Sequence, residues 1–477
     1  MALVLGVDSS TQSTKVEARD LASGRVVARA GAPHPPTTPP VSEQDPSAWW
    51  DALVAAISGL GNHRSDVVAI SVAGQQHGLV LLDGRGAPVR PAKLWNDTTS
   101  APQAARLVGA LGAAAWAERV GSVPVAAFTI TKLAWVAEHE PDLLGRVERV
   151  MLPHDYLTWR LTGEHVTDRG DASGSGWFDP TGGAVDAGLL GAAIGGDGAA
   201  WAERVPRVLA PTEVAGSLTG AAAGELGLPA GIAVGPGSGD NMGAALGLGL
   251  RAGDVAISLG TSGTVFAVSD TATHDPSGAV AGFASASGNY LPLVCTLNAT
   301  KVTDTVARWL GTDAPGLAEL ALGTIDDPGT VTLLPYFDGE RTPNLPDATG
   351  TFAGLTNATT RAQLALAAHD GVLCGLLGGV AALRRVGATL GGRTFLIGGG
   401  ARSMAYRQRC ADLLGRPVVV PDSDETVAAG AAAQAAVVHA GVSFDELAAR
   451  WGLGAGTEIA VGRDGSSVVA RYRAAGG

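Results

Sequence analysis

Two aspartates stand where an acidic side chain could do chemistry. Asp8 follows the short apolar run 4–7 and opens a turn rich in hydroxyl groups. A carboxylate at such a strand end offers hard oxygen ligands to a Mg²⁺ that accompanies a polyphosphate. Asp240 lies in the glycine-rich segment 235–243, where the glycines let a ligand approach closely. We interpret Asp240 as a general base, and a simple helix N-cap at this position is the alternative.

Two hydroxyl-rich turns share one plan and lie roughly half the chain apart. Residues 10–14 and residues 260–264 each connect two strand-like segments. Tight turns rich in Gly, Ser and Thr can present backbone N–H groups to a polyphosphate without a lysine. The matching copies indicate an internal duplication, whereas either turn alone would be an ordinary hairpin turn. The candidate phosphate-binding residues are Thr11, Gln12, Gly260, Thr261 and Ser262.

A third set of side chains suits a polyhydroxylated ligand. Gln76 and His77 follow the predicted strand 67–72, at the end where open α/β sheets bind ligands. Trp95 and Asp97 add an aromatic wall beside a carboxylate, which is common in sugar sites. The alternatives are a solvated histidine and ordinary packing of the tryptophan.

Several nucleotide and metal motifs are missing. None of the four lysines follows a glycine, which excludes a Walker phosphate loop. Asp240 stands where a dinucleotide fingerprint needs its last glycine, and no His-Glu-x-x-His occurs. A nucleotide would therefore need another kind of loop. The glycines at 398–400, after the predicted strand 394–397, could let a flat base lie against bare backbone.

The composition excludes further classes. The chain has 477 residues, a net charge of −12, 46% hydrophobic residues and 16% charged residues. Dominant disorder is excluded, and the acidic balance argues against nucleic-acid binding. Three scattered cysteines predict neither a thiolate zinc site nor a disulfide framework. The N-terminus has no basic leader, so we expect a cytoplasmic protein. The apolar stretch 364–383 contains His369 and Asp370, so we expect that it does not span a membrane.

Strand-like and helix-like segments alternate in both halves, which predicts an α/β fold in layers. The glycine-rich run 235–253 is consistent with a domain junction. We therefore place two domains at residues 1–245 and 246–477. The first would contain Asp240 and the first phosphate turn, and the second would contain the other phosphate turn.

Taken together, these segments resemble the FGGY family of carbohydrate kinases from Gly6 to about Ala436. One family signature is nearly met by residues 127–139. Its departure is Ala127, where the pattern asks for Gly, for Ser or for a bulkier residue. The other signature is met by residues 352–370. Members that phosphorylate D-xylulose match most closely, through the segments 42–46, 49–50, 75–78, 152–156, 239–241 and 334–343.

The resemblance implies two duplicated actin-like ATPase domains of the ribonuclease H type, with ATP in a cleft between them. It implies that Asp240 takes the proton from the terminal hydroxyl of D-xylulose, while Asp8 helps to position Mg²⁺ at the phosphates. The ketose would be held by Gln76, His77, Asp240 and Asn241, with Trp95 and Asp97 alongside. Both phosphate turns would face the phosphates, and the adenosine would be bordered by Gly399, Gly400 and Ala401.

Two positions depart from the family pattern. Ser10 stands in the first phosphate turn where a glycine is usual, which would be costly if that residue needs a positive φ. Gln76 stands where many members have Met, which leaves the exact sugar contact open.

Other functions remain as alternatives. The chain could be an FGGY kinase for ribulose, fuculose or glycerol. A non-enzymatic actin-like ATP switch is the alternative from another class, and the polar segments 75–78 and 239–241 argue against it because a switch needs no polyol pocket. The expected partners are the sugar and ATP, without nucleic acid or membrane, and the sequence leaves open whether the chain forms a homodimer.

Overall fold

The structure, a computed structural model, describes all 477 residues, Met1–Gly477. The chain forms two compact units. The first comprises Met1–Leu250, His274–Leu291 and Glu425–Gly454, and the second comprises Arg251–Thr273, Pro292–Asp424 and Ala455–Gly477. The chain first leaves the first unit after Leu250, and the domain bounds 1–245 and 246–477 stay a prediction. The later return of two segments to the first unit was not part of the prediction.

The strands, in chain order, are β1 (Leu3–Ser9), β2 (Ser13–Asp20), β3 (Val26–Pro33), β4 (Glu43–Gln44), β5 (Val67–Gly74), β6 (Val80–Leu82), β7 (Ala92–Lys93), β8 (Arg149–Met151), β9 (Val166–Asp168), β10 (Phe178–Asp179), β11 (Ala184–Val185), β12 (Arg207–Leu209), β13 (Gly216–Ser217), β14 (Ala233–Val234), β15 (Ser238–Gly239), β16 (Gly253–Leu259), β17 (Gly263–Ala267), β18 (Ala281–Ala284), β19 (Tyr290–Thr296), β20 (Thr332–Leu334), β21 (Thr351–Ala353), β22 (Leu390–Ile397), β23 (Val418–Pro421) and β24 (Gly456–Ile459).

The α-helices are α1 (Pro46–Ser58), α2 (Ala101–Leu111), α3 (Ala113–Val120), α4 (Thr129–His139), α5 (Pro141–Leu144), α6 (Pro153–Thr162), α7 (Arg169–Ala172), α8 (Ala187–Ile194), α9 (Gly198–Ala202), α10 (Gly220–Leu226), α11 (Asp240–Gly247), α12 (Thr300–Trp309), α13 (Ala314–Gly323), α14 (Arg361–Arg385), α15 (Met404–Leu414), α16 (Thr426–Ala440), α17 (Phe444–Trp451) and α18 (Ser466–Ala474). Two short 3₁₀ helices span Gly61–Asp66 and Gly399–Arg402.

The first unit is built on a sheet with the strand order β13-β14-β5-β1-β2-β3, and β15 also pairs with β5. β1 runs antiparallel to β2 and parallel to β5. Its side chains alternate between two cores: Leu5 packs in the cluster that contains Trp49 of α1, whereas Val4 packs in the cluster that contains Ala432 of α16. Because both faces of β1 are buried, its register and its carboxyl end are fixed.

α16 lies in one of the two segments that return to the first unit, and its small residues explain its close packing there. A Cβ on Gly6 of β1 would lie 1.9 Å from the carbonyl oxygen of Ala428, and a Cβ on Gly247 of α11 would lie 1.9 Å from that of Thr426. Only glycine permits these backbone approaches. α16 therefore supports both the strand that ends near Asp8 and the helix that begins at Asp240.

The second unit repeats the same arrangement. Its sheet includes the strand order β19-β17-β16-β22-β23-β24. β16 forms an antiparallel hairpin with β17 and a parallel pair with β22, as β1 does with β2 and β5. β17 in turn pairs antiparallel with β19, as β2 does with β3. The predicted α/β class and the predicted duplication are confirmed.

α14 is the one helix that is long and apolar enough to cross a membrane, and 72% of its most apolar stretch is buried inside the protein. Its Asp370 forms an ion pair with Arg409 at 2.7 Å. α16 and α17 pass the same test only as a pair, and they are bent by 119°. A mostly buried helix with a buried ion pair has the properties of a core helix.

Candidate active site

Asp8 and Asp240 lie at the same edge of the first unit's sheet. Ser9 of β1 and Gly239 of β15 both pair with Gly74 of β5, so the strand ends beside the two aspartates meet on either side of β5. All three strands are parallel there, and this is the edge where open α/β sheets bind ligands.

Asp8 is a buried carboxylate whose Oδ1 accepts a hydrogen bond from the Ser10 hydroxyl at 2.6 Å. Burial raises the pKa of Asp8 to about 6, although the Ser10 hydrogen bond and the charge of Lys15 act in the opposite direction. The carboxylate is therefore mostly ionised at neutral pH. Ser10 does not have a positive φ, so the concern raised by a serine at this turn position does not apply.

Asp240 is the first residue of α11, and Gly239 occupies the N-cap position. Its Oδ1 accepts hydrogen bonds from the backbone N–H of Asn241 at 2.7 Å and from Nδ2 of Asn241 at 2.9 Å. Burial, followed by the negative charge of Asp8, raises the pKa of Asp240 to about 7. A carboxylate that titrates near neutral pH is suited to accept a proton from a reacting hydroxyl.

The structure brings Gln76 and Asn241 to Asp240. Nδ2 of Asn241 donates to Oε1 of Gln76 at 2.8 Å as well as to Asp240. Nε2 of Gln76 is buried and has no hydrogen-bond partner in the protein. A buried amide N–H without a partner is costly, so this group is a donor available to a ligand oxygen.

His77 has the only positive φ among the non-glycine residues, at 65°. Its ring stacks on Phe128 with a centroid distance of 5.1 Å and lies 5.4 Å from Phe283. The hydroxyl of Thr129 donates to its backbone carbonyl at 3.2 Å. A left-handed backbone held by this packing is typical of a functional position. Phe128 and Phe283 were not predicted from the sequence, although Phe128 lies within the signature segment 127–139.

Trp95 and Asp97 have different environments. Trp95 is 46% exposed, and its Nε1 donates to Oγ1 of Thr11 at 2.9 Å. Thr11 also donates to Oε1 of Gln75, so the first phosphate turn is joined to the end of β5.

Asp97 is completely buried. Its carboxylate accepts hydrogen bonds from within the protein, from the backbone N–H groups of Ser42 and Thr99 and from Nζ of Lys93. It supports the loop that carries Trp95. Gln12, the remaining residue of the first turn, is exposed, and its backbone carbonyl accepts a hydrogen bond from His34.

A buried ionic cluster behind Asp240 was not foreseen as a unit. Nε2 of His154 lies 3.2 Å from Asp155, 3.3 Å from Asp168 and 3.5 Å from Asp171. Burial alone would lower the pKa of His154, but the three carboxylates outweigh it and raise the pKa to about 9. The three carboxyl groups thus favour the charged form of His154, and the sequence signal for this residue was the segment 152–156.

The second unit holds a cavity of about 770 Å³. Its lining includes Gly260 and Thr261 of the second phosphate turn and Gly399 and Gly400 of the short 3₁₀ helix. Ala401 and Ser262, the other two predicted residues, are not part of this lining. The cavity also has polar lining residues that were not predicted from the sequence, among them Thr300, Thr303, Asp304, Glu319, Arg402, Ser403 and Tyr406.

The second phosphate turn is fixed by hydrogen bonds from the first residue of α12. The carbonyl oxygen of Gly260 accepts hydrogen bonds from the backbone N–H and the hydroxyl of Thr300, at 3.0 and 2.9 Å. A Cβ on Gly400 would lie 2.7 Å from Cβ of Leu259, whereas a Cβ on Gly399 would meet nothing within 4 Å. Gly400 is therefore required for packing, and Gly399 is the residue that leaves room for a ligand.

Comparison with known proteins gives one consistent result. Residues 3–247 match the N-terminal domain, and residues 255–439 the C-terminal domain, of the FGGY family of carbohydrate kinases. The chain is 52% identical to a xylulose kinase of Streptomyces coelicolor over 467 residues, which is 97% of this chain and 93% of that protein. It is 36% identical to a xylulose kinase of Escherichia coli over 87% of this chain and 85% of that protein.

Solved structures agree. The crystal structure of xylulose kinase from Bifidobacterium adolescentis is 42% identical and superposes with a TM-score of 0.89, covering 100% of this chain and 99% of that one. A Plasmodium falciparum glycerol kinase is only 17% identical but has a TM-score of 0.88, covering 100% of this chain and 97% of that one, which shows a shared fold. The predicted fold of two α/β domains of the actin-like ATPase type is confirmed.

Proposed function

Because this chain belongs to the FGGY family of carbohydrate kinases, we propose that it transfers the γ-phosphoryl group of ATP to the 5-hydroxyl of D-xylulose. The chain is an enzyme, a sugar kinase, and the proposal concerns its acceptor and its residues. The Streptomyces coelicolor relative at 52% identity is a xylulose kinase, which supports xylulose as the acceptor.

The observation that carries the proposal is the chain of contacts from Gln76 through Asn241 to Asp240. It sets a base of raised pKa beside two amide side chains that can bind hydroxyl or carbonyl oxygens. Phosphoryl transfer needs positioning and charge stabilisation more than covalent chemistry, and this arrangement provides the positioning.

In the proposed reaction, Asp240 accepts the proton of the sugar hydroxyl as that oxygen attacks the γ-phosphorus. Nε2 of Gln76 donates to a sugar oxygen, and the ring of His77, fixed by Phe128, forms part of the pocket wall. Asn241 holds Oδ1 of Asp240 by two hydrogen bonds, which orients the carboxylate before the sugar binds. Each residue therefore either binds the acceptor or positions the base.

Asp8 fits the role of a Mg²⁺ ligand. No group of three or more His, Cys, Asp or Glu side chains could hold a metal ion. Mg²⁺ is commonly bound by one or two carboxylates together with substrate phosphates. Asp8 supplies a carboxylate that is mostly ionised at neutral pH and fixed by Ser10. When bound, the ion would neutralise charge on the β- and γ-phosphates.

We place the nucleotide on the second unit. The 770 Å³ cavity is large enough for a nucleoside, and it is continuous with Gly260 and Thr261, whose turn would meet the phosphates. Gly399 borders the adenosine in this proposal, and Thr11 and Gln12 stay proposed phosphate contacts. We further propose that the enzyme is cytoplasmic, where ATP is available. Light scattering would show whether it forms a homodimer.

The test is ADP release measured with D-xylulose, D-ribulose, L-fuculose, glycerol and no sugar. We expect the highest kcat/KM with D-xylulose and a poor reaction with glycerol, because a three-carbon polyol leaves buried donors such as Gln76 unpaired. A higher kcat/KM for another acceptor would refute D-xylulose and leave a different sugar kinase. ATP hydrolysis at one rate with every sugar would instead support the ATP switch.

A further inference from the structure

Gln434 is the only polar side chain on the buried face of α16, amid alanine and glycine. It is 1% exposed, and it lies far along the chain from every predicted site residue. Its amide hydrogen-bonds both polar groups of one backbone residue: Oε1 accepts from the N–H of Gly237 at 3.0 Å, and Nε2 donates to the carbonyl of Gly237 at 2.9 Å. The Ser71 hydroxyl also donates to Oε1 at 2.5 Å, and the N–H and C=O of Gly237 fix which end of the amide is the acceptor.

Gly237 needs this partner because the strand bulges there. Val234 pairs with Ile70, and Ser238 pairs with Ala73, so four steps along this segment face three steps along β5. The extra residue leaves the N–H and C=O of Gly237 without partners in the sheet, and Gln434 replaces them. Bulges of this kind change the direction of a strand and occur beside active sites.

The other side of Gly237 is closed by the buried ionic cluster. Its φ is 83°, and a Cβ added to it would lie 2.4 Å from Nδ1 of His154. The bulge is thus packed between Gln434 and His154, and the chain reaches Asp240 three residues later. A shift of the bulge would move the start of α11 and the Asp240 carboxylate with it.

We propose that Gln434 is a positioning residue for the reaction: by satisfying the bulge at Gly237, it sets the direction in which α11 presents Asp240 to the acceptor hydroxyl. The inference rests on the proposed function of Asp240 as the base. Gln434 touches neither substrate, so its effect is expected on kcat and not on the KM for ATP.

The experiment compares Gln434→Met with Gln103→Met. Met matches Gln in length and cannot make either backbone hydrogen bond. Gln103 is 2% exposed in α2 and donates to Glu138 at 3.0 Å, so its replacement also removes a buried amide, but away from the site. Because a small misplacement of a reacting group lowers the rate strongly, we expect kcat of Gln434→Met to fall by about 10²-fold. We expect the KM for ATP to stay within about twofold of the wild type, and kcat of Gln103→Met to change little.

Hydrogen exchange gives a readout that does not depend on activity. The N–H of Gly237 should be protected in the wild type and in Gln103→Met, and it should exchange faster in Gln434→Met at the same global stability. If Gln434→Met does not fold, Ser71→Ala replaces it, because it removes one of the two hydrogen bonds that hold Oε1 of Gln434. The kcat should then fall several-fold.

The outcomes separate the two proposals. The positioning role is overturned if kcat of Gln434→Met equals that of the control. If Gln434→Met does not fold, the same comparison is made with Ser71→Ala. Unchanged exchange at Gly237 also overturns it. A wild type that phosphorylates another sugar, with the same kcat loss in Gln434→Met, overturns the choice of D-xylulose and leaves the positioning role intact.

Discussion

The Nδ2 group of Asn241 joins Asp240 to Gln76, at 2.9 Å from Oδ1 of the first and 2.8 Å from Oε1 of the second. One amide group therefore couples the proposed base to the proposed sugar contact. Any change that releases Asn241 from Gln76 should affect both the binding of the acceptor and the orientation of the base.

Gln76→Met tests this coupling. The substitution removes the acceptor for Asn241 and the unpartnered Nε2 donor, so we expect kcat/KM for D-xylulose to fall by about tenfold or more, in line with loss of one or two buried hydrogen bonds. The KM for ATP should stay nearly constant. Gln103→Met serves as the control for loss of a buried amide, and a Gln76→Met enzyme that matches it in kcat/KM would show that the coupling is not used.

Asp8→Asn tests the metal role. The amide keeps the shape of the side chain and loses its charge, so the Mg²⁺ concentration that gives half-maximal activity should rise at least several-fold while kcat falls. Asp275→Asn is a suitable control, because Asp275 is similarly buried and bonds only its own loop. An unchanged Mg²⁺ titration in Asp8→Asn would remove Asp8 from metal binding.

The acid side of the pH–rate profile should report the two aspartates. The pKa of Asp240 is raised to about 7 and that of Asp8 to about 6, and a base must be deprotonated to act. We therefore expect kcat/KM for D-xylulose to rise as the pH increases through 6–7 and to level off above that range. Interacting carboxylates titrate as a pair, so the profile gives apparent values for both. A profile that is flat down to pH 5 would contradict a base with this raised pKa.

Removing the charge of Asp8 should shift that profile. The negative charge of Asp8 is, after burial, the next contribution that raises the pKa of Asp240. The residual activity of Asp8→Asn, measured at saturating Mg²⁺, should therefore decline at lower pH than in the wild type. An acid limb at the same pH in both enzymes would show that the two carboxylates do not interact.

The sequence predicted the parts of the site that local patterns encode. Asp8 at a strand end, the duplicated turns and the glycines before Asp240 all depend on short segments, and the predicted α/β duplication followed from them. The positions that it missed depend on contacts between distant residues. Gln434 lies in an Ala-rich helix with no motif around it. Its role becomes visible only in the structure, where its amide hydrogen-bonds the bulge at Gly237.

Asp97 illustrates the same limit in the other direction. Its place beside Trp95 predicts a sugar contact, whereas the structure surrounds it with donors from Ser42, Thr99 and Lys93. A sequence does not show which neighbours already satisfy a carboxylate. The direct sugar contact of Asp97 remains a prediction, and the hydrogen bonds favour a supporting role.

The most direct test of the central claim is Asp240→Asn, measured for both catalysis and acceptor binding. Asn has the same shape and can still accept the hydrogen bonds of Asn241, but it cannot take a proton. We expect kcat to fall by about 10²–10⁴-fold, as loss of a general base typically causes, while calorimetry gives a Kd for D-xylulose within a few-fold of the wild type.

Stability provides the control in the same variant. Because the pKa of Asp240 is raised from the usual value of 3.8 to about 7 in the folded chain, the folded state loses stability as the pH rises from about 3.8 to about 7, and the full cost applies above that range. At pH 8 the Tm of Asp240→Asn should therefore equal or exceed that of the wild type, which excludes unfolding as the cause of lost activity. An Asp240→Asn enzyme that binds D-xylulose and keeps kcat within about threefold of the wild type would contradict the account.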